Sequence, residues 1–360
     1  MSLAERNFNT TPYKQGYSSV NKWVSNWVPK TDGGYMSCWM DLTSKTLYTG
    51  FSSDLDFLTS NFAMDSIVET TGISVDNVHT GQTSLFRRSD GKVLLIIANK
   101  ALASWTKCYI SNTGNGDDWN LLTTIHTATA TETNSGEDGQ VSVVLQTSTG
   151  RLIVGIHEGR VYTTIYNFKA SYIYTSDDNG ATWTQRASYT GWYENGLSQA
   201  CQLPDGTLYI YRAASSGNTY LIKSIDNGDS WSSLGDYSDD FTDELLDSCF
   251  WSTVFYDTSS DCAFVYIMGV PNKICYLENP TAADFENKTK WKVWQSTSYH
   301  TSTTIPKIYQ LGNELIFNTP FSATAPYIYS SAYTPPPSGS CAAFYKSATG
   351  WKRIRMGIKI

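Results

Sequence analysis

Seven side chains in this sequence combine suitable chemistry with a regular placement: Asp32, His79, Asp138 with its neighbour Glu137, Glu194, Asp247 and His300, joined by Arg212. All but Arg212 stand just ahead of a strand-like run that ends in a tight turn. Two carboxylates held roughly 5–9.5 Å apart can break a glycosidic bond, one as proton donor with a raised pKa, the other as base or nucleophile. Glu194 and Asp247 are the preferred catalytic pair, with Asp138 as the third candidate. Trp192 and Tyr193 flank Glu194 and offer flat amphipathic faces on which sugar rings stack. Arg212 offers planar, permanently charged donors suited to a carboxylate. His79, His300 and Asp32 complete the substrate-binding candidates. Asp32 and Asp247 have an equally good local explanation, because Asp before a strand commonly bonds turn backbone. Glu194 lacks that explanation. No local motif gathers these residues at metal-ligand spacing, so neither metal nor cofactor is expected.

The elements that must position these groups are repeats. Segments 81–94, 139–152 and 196–209 align as strand, Gly turn and strand, and weaker copies occupy 35–48, 251–266 and 303–317. Their turns fall at Ser44, Gly91, Gly150, Gly206, Ser260 and Gly312, at spacings of 47, 59, 56, 54 and 52 residues. Each interval holds four strands, which predicts an all-β, six-bladed propeller. Two octets, Ser176–Trp183 and Ser224–Trp231, share the pattern S-x-D-x-G-x-[ST]-W. Their Asn-Gly pair tolerates positive φ, the Asp accepts backbone N–H groups across the turn, and the Trp covers it. Ser111–Trp119 is a copy one residue longer, and Asp284–Trp291 keeps the final aromatic alone. Residues 65–69 and 242–247 are the candidate short helices. A final hairpin over 345–360 and residues 17–30 are expected to close one blade from both ends, because an unclosed ring would expose strand edges. Residues 17–360 then form a single domain behind an N-terminal arm, 1–16.

Composition narrows the partners. With 24 Tyr, 12 Trp and 16% charged residues, the chain suits half-buried strands under a hydroxyl-rich surface. A net charge of −7 argues against nucleic acid, and the sequence has neither a signal-peptide core nor an apolar run of membrane-spanning length. The seven cysteines form no C-x-x-C pair and are expected as buried small hydrophobes.

The octets are Asp boxes, and with the three strong repeats they resemble the sialidase superfamily, the Asp-box (BNR repeat) β-propellers. The resemblance implies a substrate face opposite the boxes, where Asp32, His79, Asp138, Glu194, Asp247 and His300 would ring the channel mouth. It also implies three arginines, a Tyr–Glu nucleophile pair and an Asp acid/base. Arg212, after Asp205-Gly206-Thr207-Leu208-Tyr209-Ile210-Tyr211, matches the family's second arginine. Gly81 and Thr304 occupy the first arginine's slot, and no arginine stands between Arg212 and Arg353. Arg87, Arg88 and Arg151 lie beside turns and are assigned to the opposite face.

An acidic mouth with one arginine would repel sialic acid, which favours a glycan-recognising or structural propeller over a full sialidase. Tyr345–Ile354 resembles the closing strands of phage tail proteins, so the expected setting is a virion or an extracellular surface, with the cytoplasm as the alternative, and other virion proteins are expected as partners beside a glycan or polysaccharide. The alternatives are a glycoside hydrolase using the mouth carboxylates, and a lyase using His and Tyr beside a uronate.

Overall fold

A computed structural model describes residues 6–8, 13–14, 22–24, 26–41, 46–52, 63–67, 83–98, 105–127, 140–162, 165–190, 197–213, 219–236, 251–258, 260–268, 272–297, 307–311, 314–319, 327–333, 342–347 and 350–355. The chain opens with β1 (Arg6–Phe8) and β2 (Tyr13–Lys14). The first blade is the interrupted inner strand β3 (Lys22–Val24) and β4 (Val28–Pro29), then β5 (Tyr35–Asp41), β6 (Thr46–Ser52) and β7 (Ala63–Ile67). The second runs β8 (Thr83–Arg87), β9 (Val93–Ala98), β10 (Trp105–Ser111) and β11 (Trp119–Thr127). The third runs β12 (Gln140–Gln146), β13 (Leu152–Tyr162), β14 (Ile165–Ser176) and β15 (Thr184–Thr190). The fourth runs β16 (Leu197–Gln202), β17 (Leu208–Ala213), β18 (Thr219–Ser224) and β19 (Ser232–Asp236). The fifth runs β20 (Trp251–Asp257), β21 (Cys262–Met268), β22 (Asn272–Glu278) and β23 (Lys292–Thr297). All five are antiparallel meanders in chain order.

Among the described residues five such blades, not six, are complete in this way. The remaining sheet has three successive strands, β24 (Lys307–Leu311), β25 (Glu314–Thr319) and β26 (Tyr327–Tyr333), and its outer edge is taken by β1 and β2 from the other end of the chain. Among the described residues the last hairpin, β27 (Ala342–Ser347) and β28 (Gly350–Arg355), pairs only with itself, and β3 and β4 belong to the first blade. The edge of β26 is therefore satisfied by the N-terminal segment and not by the C-terminal hairpin.

Blades stack face to face, so the second strand of each is covered on both sides. This is why Val93–Ala98 is an unbroken buried apolar run where a half-exposed strand would alternate. Its alternate residues serve different seams: Val93, Leu95 and Ile97 pack with Met36, Cys38 and Leu47 of the first blade, and Leu94 and Ile96 with Leu152, Val154 and Ile156 of the third. Likewise Leu208 and Ile210 face the third blade while Tyr209 and Tyr211 face the fifth. Full burial of each such side chain contributes roughly 1.5–3 kcal/mol. Cys38, Cys108, Cys201, Cys262 and Cys275 are buried within these layers, as expected of small hydrophobes, while Cys249 and Cys341 lie outside the described residues.

The turns between first and second strands repeat one geometry, with N–H to C=O bonds from Lys30 to Gly34, Arg88 to Lys92, Thr147 to Arg151 and Leu203 to Thr207 at 2.8–3.0 Å. Each carries a glycine at φ between 85° and 102°, a region other L-residues avoid: Gly33, Gly91, Gly150 and Gly206. The first repeat is thus phased one strand earlier than its sequence alignment at Ser44, and these four glycines are 58, 59 and 56 residues apart. The signal was present in Thr31-Asp32-Gly33, which parallels Ser89-Asp90-Gly91 and Pro204-Asp205-Gly206.

On this turn face both Asp boxes form as expected. Asp178 accepts from Ser176 Oγ, Thr182 N and Thr182 Oγ1, Gly180 N donates to Ser176 Oγ, and Trp183 Nε1 donates to Gly180 O. Asp226 repeats the set with Ser224, Ser230 and Trp231, and Asn179 and Asn227 hold φ of 65° and 59°. In the longer copy Asp118 takes over, accepting from Ser111, Asn112 and Thr113. The fourth copy is replaced by helix α1 (Ala282–Glu286), capped by Thr281 Oγ1 accepting from Asp284 N, with buried Phe285 stacked on Tyr209. The Thr281-x-x-Asp284 cap was legible in the sequence; the helix expected at 65–69 is instead largely β7, and 242–247 lies outside the described residues.

Burial alone would raise the Asp226 pKa, but bonds from Ser230 and Ser224 outweigh it and draw the carboxyl down to about 2. Asp178 and Asp118 are lowered by the same balance. A group whose pKa is lower in the fold than in the unfolded chain stabilises the fold above its unfolded value, and that stability is lost as pH falls towards its folded value. Melting temperature is therefore expected to hold down to about pH 5 and to drop between there and about pH 2. The Asp178→Asn/Asp226→Asn double variant should melt lower at neutral pH and lose less on acidification. An acid profile parallel to wild type would place the titration elsewhere.

Candidate functional site

The blade ends opposite the Asp boxes bring two rows of residues level with each other. Across the third blade the paired positions are Gln140, His157, Ser171 and Tyr189, and across the fourth they are Leu197, Arg212, Tyr220 and Asp236. The Arg212 guanidinium carbon lies 4.9 Å from the ring centre of Tyr189 and 4.8 Å from that of Tyr220, so the cation bridges the seam between aromatic faces. Arg212 has no ion pair among the described side chains, and its Nε is buried without a hydrogen-bond partner. The Tyr189 hydroxyl is also buried and unpartnered; burial raises its pKa and Arg212 opposes the shift.

His157 lies beneath the same seam, fully buried. Its Nδ1 is 2.8 Å from Ser171 Oγ and its Nε2 3.2 Å from Leu197 O. The Leu197 N–H lies 3.2 Å from the same Nε2, so contacts with both backbone groups of Leu197 tie the third blade to the first residue of β16. An imidazole fixed between blades thus stands directly beside the Leu197–Arg212 rung.

Of the residues expected from sequence, Arg212 is at this end. Asp32 is not. It sits in the turn between β4 and β5, exposed, where its N–H and that of Thr31 donate to Asn115 Oδ1 in the Ser111–Trp119 copy of the Asp box, and its carboxylate pairs with Lys30. It lies on the turn face because the inner strand precedes it, so the mouth lacks one of its four expected acids. Its local turn role is the one it fills. His79, Asp138, Trp192, Tyr193, Glu194, Asp247 and His300 lie outside the described residues. Tyr189, Tyr220, His157 and Ser171 were missed. The available signal was their register, with His157 seven residues after Gly150 and Arg212 six after Gly206.

Arg87, Arg88 and Arg151 are on the opposite face, as placed from sequence. Arg87 donates to Pro29 O and Thr31 Oγ1, Arg88 to Asn179 O and Asp90, and Arg151 to Asn227 O, Asp177 and Asp229. Between the faces, the turn half of the central channel is a cavity of about 480 Å³ whose lining includes Gln146, Gln199, Gln202, Phe86, Phe255 and Tyr256. Among the described residues its lining holds no carboxylate, and its Gln146 and Gln202 each bond the preceding blade's turn N–H and their own turn's glycine carbonyl. Among the described residues no cluster of His, Cys, Asp and Glu could hold a metal, and no helix is long and apolar enough to cross a membrane.

The family model described as BNR repeat-like domain matches residues 66–248, half of the chain. No curated protein matches the sequence. Among solved structures, the GH93 alpha-L-arabinofuranosidase of Fusarium graminearum in complex with arabinobiose is similar at 12% identity and a TM-score of 0.58, over 91% of this chain and 98% of that one. The intramolecular trans-sialidase from Ruminococcus gnavus in complex with oseltamivir carboxylate is similar at 11% identity and a TM-score of 0.56, over 91% and 99%. A protein of unknown function from Dyadobacter fermentans is similar at 13% identity and a TM-score of 0.55, over 90% and 95%. At these identities the likeness concerns the propeller fold.

Proposed function

The chain belongs to the BNR repeat-like domain family, and from that premise we propose that it is a glycan-recognising β-propeller whose ligand carries an acidic group that Arg212 receives. One observation carries the reading: a guanidinium held between two aromatic rings, with a buried unpartnered Nε and no carboxylate paired to it among the described side chains. A cation with no counter-charge among the described side chains suits an anionic ligand, and sialosides and uronates are carboxylated glycans of that kind. The repulsion expected from an acidic mouth is weaker than the sequence implied, because Asp32 is on the other face. Neighbours of this fold bind arabinobiose and oseltamivir carboxylate, which is compatible with a sugar ligand.

Hydrolysis is the second reading, favoured by the arabinofuranosidase and trans-sialidase among those neighbours. It assigns Glu194 and Asp247 as the carboxylate pair, with Asp138 as alternate and Trp192, Tyr193, His79 and His300 as sugar contacts. The purified chain should be titrated with sialosides, oligogalacturonides and arabino-oligosaccharides, with turnover followed in parallel for wild type and Glu194→Gln. Binding without turnover in both proteins supports recognition alone. Turnover that disappears in Glu194→Gln, with binding intact, makes the chain a glycosidase. A virion or extracellular-surface setting is part of the proposal, resting on the hydroxyl-rich composition and on Tyr345–Ile354; purified particles lacking the chain would remove it.

A further inference from the structure

Tyr189 carries a polar group that the packing around it does not use. It is the outermost residue of the row Gln140, His157, Ser171 and Tyr189, and its ring packs on the apolar layer between the third and fourth blades, against a cluster that includes Ile173, Leu197 and Ile210. The hydroxyl at the rim of that ring is enclosed, and among the described residues it has no hydrogen-bond partner. The guanidinium set 4.9 Å from the ring centre is in the same condition at Nε. Buried polar groups are bonded in the great majority of cases, because leaving one unpaired costs more than a made bond returns. Two such groups on side chains that touch point to one partner shared by both.

Their chemistry says what that partner is. Burial holds the Tyr189 phenol above its usual pKa against the pull of Arg212, so it keeps its proton and can donate. The guanidinium is a donor at every nitrogen and accepts at none. Two donors side by side suit a group that accepts at two atoms, and an ionised carboxylate does so. With rings at 4.9 and 4.8 Å covering the guanidinium, its edge is the remaining approach, and the edge is where a planar carboxylate bonds it.

We infer that Tyr189 is the second anion-holding residue of this site: its hydroxyl donates to one carboxylate oxygen of the acidic sugar while Arg212 holds the other. This deepens the acidic-glycan reading and rests on it. Tyr220, which supplies the other ring over Arg212, then controls for the ring contact itself.

Calorimetric titration of wild type, Tyr189→Phe and Tyr220→Phe with 3′-sialyllactose and with trigalacturonic acid tests the assignment, with thermal melts on the same samples. Phenylalanine keeps each ring and removes the hydroxyl alone. For the acid that wild type binds, Tyr189→Phe should lose about tenfold or more in affinity, the loss expected for a hydrogen bond to a charged group, while Tyr220→Phe stays within about twofold. The melting temperature of Tyr189→Phe should equal that of wild type or exceed it, since an enclosed hydroxyl without a partner is gone. A lower melting temperature with affinity intact would make the hydroxyl a structural group and overturn the inference. Equal losses of affinity in the two variants would trace the effect to weaker ring contact with Arg212, and would overturn it too. Either result leaves the Arg212 reading standing. Wild type that binds neither acid removes the acidic-glycan reading, and the inference with it.

Discussion

Replacing Arg212 with methionine is expected to weaken binding of acidic glycans by about a hundredfold while leaving the melting temperature unchanged or slightly higher. The two halves have separate causes. A charge-assisted, planar donor set facing a carboxylate contributes about 3 kcal/mol, which methionine removes. The guanidinium in the unliganded fold has a buried Nε without a partner, and such a group costs about 1–3 kcal/mol. Methionine keeps the apolar contact with Tyr189 and Tyr220 and drops that cost, so the lost cation–π attraction is offset. Arg212→Lys should be intermediate in affinity, because it keeps the charge and loses the planar fork. Titration and thermal melts on the same samples distinguish the roles. A fall of several degrees with affinity intact would make Arg212 a structural residue of the seam and end the ligand reading.

Arg151→Ala is expected to lower the stability of the whole propeller by about 2 kcal/mol, or roughly 3 °C in melting temperature. Isolated surface ion pairs contribute little, and geometry is what separates this one from them. The Arg151 side chain is 13% exposed, and it meets Asp177 through two bonds of 2.6 and 2.9 Å. The same guanidinium reaches Asp229 at 2.7 Å and Asn227 O at 3.2 Å in the next blade's Asp box. It therefore links a turn, its own blade's box and the neighbouring box. Hydrogen bonding to Asp177 in turn holds that carboxyl below its usual pKa. Adding Asp229→Ala to Arg151→Ala should cost less than the two separate losses together, since the partners are shared. Full additivity would mean that the interblade bond contributes nothing to stability.

Much of this architecture was legible in the chain. Asn-Gly at positive φ, a carboxylate accepting across the turn and a covering tryptophan are interactions within eight residues, so Ser176–Trp183 and Ser224–Trp231 specify their own geometry. The glycine turns repeat for the same reason, and the turn-side placement of Arg87, Arg88 and Arg151 follows from their distance along the strand. Phase and closure were less accessible. Ser44 and Gly33 both end strand-like runs, and the choice between them depends on Val28 and Asn26 packing beside Leu85 of the next blade. The pairing of β26 with β1 and β2 joins the two ends of the chain, a contact that no local pattern records.

The candidate site divides along the same line. The residue types needed for glycan chemistry, and the position of Arg212 after an Asp-Gly turn, belong to the sequence by itself. The tertiary structure alone decided that Tyr189, from a different blade, closes over Arg212, that His157 anchors β16, and that Asp32 faces the wrong end. Strand alternation sets which face of its own sheet a side chain occupies, but what it meets there depends on the stacking of sheets whose strands lie tens of residues apart in the chain.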